Sequence, residues 1–201
     1  MVVIILGGAC SSHRGAASVR PSVTDPTLRA ELLRRASADQ EVREEFTAAF
    51  RTGKRPDSAL VARVWSVDAE NTAWLRDVIA RRGWLGRSMV GDDGADAAFR
   101  LIQHADADTA FQTHVLPLLA QAYRTGEATG QSLALLTDRV ATARGEPQVY
   151  GTQVDLVAGR AVLKPIRDSA GVDARRASLG LPALSVYLRL IDSVYTSRPR
   201  P

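Results

Sequence analysis

The 201-residue chain is poor in several things, and each shortage narrows what it can be. It has one cysteine, Cys10, so no intrachain disulfide can form and a thiolate metal cluster is excluded. The folded part holds two histidines, His104 and His114, so a closed zinc site would need several carboxylates besides. The sequence gives no metal site and no cofactor. It lacks GxSxG, HExxH, P-loop and dinucleotide patterns, and the glycines of 83–91 do not have phosphate-loop spacing. No stretch approaches the roughly 18 apolar residues of a membrane span. Aromatic residues make up 5% of the chain and form no stripe interleaved with basic ones, as a single-strand nucleic-acid platform would require. Lysine is almost missing, with 2 against 24 arginines, a ratio that points to coding bias rather than a phosphate-binding surface. The formal charge is +4, but the excess sits at the ends. Without Arg14, Arg20, Arg198, Arg200 and Asp25, residues 27–197 hold 22 basic and 21 acidic side chains. A nucleic-acid binder concentrates positive charge on its fold, so no nucleic-acid partner is expected.

What is present is the composition of an ordinary globular domain, 45% hydrophobic and 24% charged. The first 26 residues stand apart. Met1–Leu6 is apolar, Gly7, Gly8 and Ala9 are small, and Cys10 follows, the pattern of a bacterial lipoprotein signal with Cys10 as the lipidated residue. The run is short and has no basic n-region, which a start site upstream of Met1 would explain. The alternative is a short core strand or a tail with an incidental cysteine, in a cytoplasmic protein. Residues 11–26 are small, polar and proline-containing, a linker composition. The expectation is a lipid-anchored domain of the cell envelope, facing outside the cytoplasm and touching the membrane only through its anchor.

From Thr27 the periodicity is helical. Leu28, Leu32, Ala36, Phe46 and Phe50 share a face after Asp25-Pro26, and Gly53 and Pro56 close the segment. Further helices are predicted over about 58–82 (with a possible break near Ser66–Asp68), 93–105, 108–125, 131–144 and 181–195, with a glycine-rich loop at 83–91. Val149–Val157 is β-rich, Ala158-Gly159-Arg160 can turn and Ala161–Lys164 can return, which predicts a hairpin at about 149–164. The fold class is mainly α: a single-domain helical bundle over 27–197 with a small β-hairpin, and a tail at 198–201.

Several polar residues fall where a core should be. Asp39 and Arg43 continue the apolar stripe of the first helix four residues apart, with Gln40 beside them. Gln103 and His104 end the third helix, and His104 flanks its apolar face. Gln112 borders the buried side of the fourth helix, while His114 points outward. Asp138 and Arg139 interrupt the fifth helix between Leu136 and Val140. Gln148, Tyr150, Thr152 and Gln153 crowd amides, a phenol and a hydroxyl around Gly151. Each has an ordinary explanation as an ion pair, a cap or a solvent-facing strand edge. Together they must satisfy one another or line a wet pocket, because an unsatisfied buried polar group costs about 1–3 kcal/mol.

In order along the chain come Asp39-Gln40 with Arg43, Gly83-Trp84, Gln103-His104-Ala105-Asp106, Thr137-Asp138-Arg139, Pro147–Gln153, and Arg175-Arg176 with Gly180-Leu181 and Tyr187. This set resembles an uncharacterised bacterial domain family with QHAD, DR and QxYGTQ stretches, over about residues 28–190. The family often has Pro where this chain has Leu85. The resemblance implies which residues belong together and supplies no reaction; many members carry export signals, in keeping with the Cys10 reading.

Two functions follow as expectations. One is a hydrolase or lyase on a small polar substrate, with His104 as general acid or base, Asp138 orienting or charge-balancing it, and Arg139 or Arg43 holding an anionic group. Gln103, Gln148, Tyr150 and Gln153 would fix the substrate, with Asp39, Gln40, Gln112 and Thr152 completing the pocket. The other is a non-catalytic ligand-binding or structural module of the envelope built from the same residues.

Overall fold

The computed structural model describes residues 23–51, 55–157 and 160–196. The Cys10 reading, the 158–159 turn and the 198–201 tail lie outside them. The described residues form seven helices and one hairpin: α1 (Pro26–Arg51), α2 (Ser58–Arg82), α3 (Arg87–His104), α4 (Thr109–Arg124), α5 (Gly130–Ala143), β1 (Val154–Val157), β2 (Arg160–Leu163), α6 (Val172–Ser178) and α7 (Leu184–Thr196). The protein is mainly α with a small antiparallel hairpin.

Side-chain caps set the helix starts. Asp25, Asp57, Asp108 and Thr129 accept from the backbone N–H three residues on, at 2.7–2.9 Å. Gly83 ends α2 at φ 73°, a conformation only glycine adopts without strain. Helix α1 packs against α2 and α3, α4 pairs with α5, and the hairpin leans on α7. The core between these helices is built from Leu32, Leu75, Leu101, Phe111, Leu119 and Leu136, each at most 1% exposed. No helix among the described residues is long and apolar enough to cross a membrane.

The differences from the sequence reading have local causes. Helix α2 runs unbroken through 66–68, because Asp68 finds a partner in Arg43 and the Thr72 hydroxyl bonds back to the Asp68 carbonyl. A short helical turn from Arg87 to Val90 precedes Gly91, whose φ of 76° interrupts α3; past it the helix runs on from close to the expected start near 93. The helix α6, of seven residues, is too short to show a period. Strand β1 starts at Val154, not Val149, because the preceding N–H groups are directed elsewhere. Its register with β2 runs from Val154 opposite Leu163 to Val157 opposite Arg160.

Candidate functional site

Three helices bring acids and a base to one place. Asp39 on α1 is fully buried, and His104 in the last turn of α3 is 2% exposed. The His104 Nδ1 lies 2.8 Å from Asp39 Oδ1. The Nε of Arg43, one turn beyond Asp39, lies 3.0 Å from that same oxygen and 2.9 Å from that same nitrogen. A proton on Nδ1 lets the ring and the guanidinium both donate to Asp39 Oδ1 but sets two N–H groups 2.9 Å apart. A bare Nδ1 accepts from Arg43 but sets its lone pair 2.8 Å from the carboxylate oxygen, and we take the first as the better compromise beside an ionised Asp39. Gln40 donates to the other oxygen of Asp39 at 2.8 Å. Arg43 also reaches Asp68 on α2. From the other side, Arg139 on α5 pairs with Asp106, just beyond α3, and its charge bears on His104.

The electrostatics follow from burial. Burial pushes the His104 imidazole below its ordinary range, against the pull of Asp39, and the charges of Arg43 and Arg139 push the same way, so the ring is neutral. Burial works against ionisation of Asp39 too, but its bonds to His104, with Arg43 and Gln40, outweigh that and hold the carboxyl below the usual range. Asp68 is lifted to about 6, because burial and the carboxylates of Asp39 and Asp106 prevail over Arg43. Two buried atoms of the cluster have no hydrogen-bond partner, His104 Nε2 and Arg139 Nε. With Nδ1 protonated, the first is a bare lone pair and the second a donor. The deep end of the cluster is Asp39, His104 and Arg139. Its rim is Arg43 and Asp68, each 20% exposed in the side chain, and Asp106 at 29%.

Asp138 does something else. It was expected to orient His104, a task that Asp39 performs. Asp138 is fully buried on α5 and faces the 149–152 loop. Its Oδ1 accepts from the backbone N–H of Val149 (2.7 Å) and Tyr150 (2.9 Å), and its Oδ2 from the N–H (2.8 Å) and hydroxyl (2.9 Å) of Thr152. The backbone N–H groups of Val149, Tyr150 and Thr152, which a strand would have used, go to this carboxylate. The amide of Gln148 is equally occupied: Oε1 accepts from Gln153 N–H, and Nε2 donates to the Gln153 and Lys164 carbonyls. The Gln153 amide donates to Thr152 Oγ1 at 3.0 Å. Arg176, 1% exposed, donates to the carbonyls of Tyr150 and Pro182 at 2.7 Å and lies over the Tyr187 ring, while the Tyr187 hydroxyl donates to the Thr152 carbonyl. Gly151, at φ 71°, permits the turn under Leu184. This region is a loop clamp.

The candidates therefore separate. Asp39, Gln40, Arg43, His104 and Arg139 come together. Asp138, Gln148, Tyr150, Thr152 and Gln153 form the clamp. Gln112 donates to the Ile102 and Gln103 carbonyls at 3.1 and 3.2 Å, closing the end of α3, and Gln103 is buried beside it. Sequence reasoning missed Asp68, although Val64, Asn71, Thr72 and Leu75 are buried on the face it shares. It also placed no site role on Asp106 or Arg176. Donor atoms of Asp39, Asp68 and His104 lie within 4.8 Å of one another, so the carboxylates that a metal site would need are present. Two surface depressions, of about 300 Å³ beside Trp84, Leu118 and Glu127 and about 480 Å³ beside Leu28, Trp74 and Arg82, include no member of this cluster.

No curated protein and no solved structure matches the chain. A family model does match residues 26–199, nearly the whole length and every residue of the cluster and the clamp. The chain belongs to the family of unknown function DUF6624.

Proposed function

We propose that the protein is an acid–base enzyme, a hydrolase or lyase on a small polar substrate, with Asp39 and His104 as its proton-transfer pair. The observation that carries this reading is the unpartnered Nε2 of a buried, neutral imidazole whose other nitrogen is fixed on a carboxylate. That is what a general base needs of its ring: one tautomer held, and a second nitrogen whose lone pair no protein donor has taken. The donor complementary to it is Arg139 Nε, also without a partner. Both guanidiniums are already paired with carboxylates, so the substrate is held by hydrogen bonds more than by an anionic group on a free arginine.

The second reading, a ligand-binding or structural module without turnover, draws support from the depth of His104 and from the number of cluster groups already satisfied. Assays of small esters, amides, phosphoesters and glycosides with wild type, His104→Gln and Asp39→Asn separate the two. The enzyme reading expects turnover of one class to fall by at least about 10²-fold in both variants. Equal rates in folded variants would contradict it.

The same proposal places the protein in the cell envelope, held by a lipid on Cys10, which rests on the 1–10 pattern alone. Wild type expressed in a bacterium should then sediment with membranes and Cys10→Ser should not. A soluble wild type retaining Met1 would favour the cytoplasmic alternative.

A further inference from the structure

We propose that Asp39, Asp68 and His104 bind a divalent first-row transition-metal cation, whose place the guanidinium of Arg43 holds until the cation arrives. Three ligand-type side chains come from three helices, α1, α2 and α3, with donor atoms all within 4.8 Å of one another. Ligand atoms around tetrahedral zinc stand roughly 3.4 Å apart, given bonds of about 2.0–2.2 Å. The 2.8 Å between Asp39 Oδ1 and His104 Nδ1 and the 4.8 Å limit bracket that spacing, so small side-chain movements suffice.

Arg43 marks the position. Its guanidinium contacts all three groups, Asp39 Oδ1, His104 Nδ1 and Asp68 Oδ1. A positive group in the midst of three ligands is where a metal ion would sit. Arg43 is also the member able to leave, since its side chain is 20% exposed while those of Asp39 and His104 are sealed at 0 and 1%. Charge argues the same way. Three carboxylates, Asp39, Asp68 and Asp106, face two guanidiniums, Arg43 and Arg139, around a neutral ring. A cluster with one carboxylate in excess gains from a cation and loses from an anion.

For Nδ1 to ligate, the ring proton moves to Nε2, which gives up the Nδ1–H bond to Asp39 in exchange for the two metal bonds. An imidazole with two carboxylates suits Zn²⁺ or Mn²⁺ better than Ca²⁺ or Mg²⁺. Three protein ligands leave a position for water, which such an ion acidifies. The inference goes beyond the acid–base reading and does not depend on turnover.

The test uses the full chain, stripped with chelator and dialysed, then titrated with Zn²⁺ and with Mn²⁺ by calorimetry. The expected result is one site of micromolar affinity or tighter for at least one of them. Asp68→Asn and His104→Gln should each weaken it at least tenfold, and Arg43→Met should keep it or tighten it severalfold, because the competing cation is gone. If His104→Gln fails to fold, Asp68→Asn on the rim carries the comparison. No binding by wild type, binding only in Arg43→Met, or binding indifferent to Asp68→Asn would overturn the proposal. Turnover that is lost in His104→Gln but persists in chelator would leave the acid–base reading standing without it.

Discussion

The Asp138 clamp and the His104 cluster are built from the same materials, a fully buried aspartate with arginines and amides around it, yet they differ in completeness. Asp138 receives four hydrogen bonds from one loop, and Gln148 uses both ends of its amide. The His104 cluster leaves an imidazole nitrogen and a guanidinium N–H with no partner. A buried polar group is costly, and the usual answer is to satisfy it. Burial alone therefore says little about function; an unsatisfied remainder in a connected cluster says more. The clamp explains why the QxYGTQ residues belong together without giving them chemistry.

The largest effect should come from breaking the clamp. Asp138→Ala strands three backbone N–H groups and a hydroxyl, and at about 1–3 kcal/mol for each the loss exceeds about 4 kcal/mol, most of a small domain's stability. Urea denaturation should show a protein that is unfolded or nearly so, and a midpoint close to wild type would deny the clamp its role.

Next comes a change of opposite sign in the cluster. The Asp68 carboxyl is near 6 in the fold, against 3.8 ordinarily. Between those values the folded protein binds a proton that the unfolded chain has released, so stability from this group is full below about pH 4 and is lost as pH rises through 6. In metal-free protein at pH 7.5, Asp68→Asn should be the more stable by up to about 2–3 kcal/mol, and the two should converge near pH 4. Parallel stability curves would show that Asp68 is not under this strain.

Gly151→Ala tests the clamp more gently. The position has φ 71°, and a Cβ would stand 2.9 Å from Leu184 Cδ1. A cost of about 1–2 kcal/mol is expected in thermal melts. The smallest effect on stability should be that of His104→Gln, below about 1 kcal/mol: glutamine can still donate to Asp39, and no bond at Nε2 is lost. That contrast with Asp138 is the comparison in its sharpest form.

Much of the frame was legible locally. The capping acids Asp25, Asp57 and Asp108, and Gly83 after α2, announce helix ends through their own backbone chemistry. The strand reading of 149–153 failed because the alternation there is real but the N–H groups of Val149, Tyr150 and Thr152 bond to Asp138, 11–14 residues upstream, and that of Gln153 bonds to the Gln148 side chain. No local window contains that information. Asp39 and His104 were visible as polar residues on apolar faces, but a pairing across 65 residues depends on how α1 meets α3. Asp138 and Arg139 are adjacent in sequence, yet the helix turns their side chains toward different neighbours, Asp138 to the 149–152 loop and Arg139 to Asp106.

The central claim is the state of the His104 ring. Long-range ¹H–¹⁵N correlation of the imidazole in chelator-treated protein reads both tautomer and titration. The account predicts a neutral ring at pH 7 with its proton on Nδ1 and a bare Nε2, staying neutral as pH falls below the ordinary histidine value of about 6.5. A proton on Nε2, or protonation of the ring at or above that ordinary value, would contradict it.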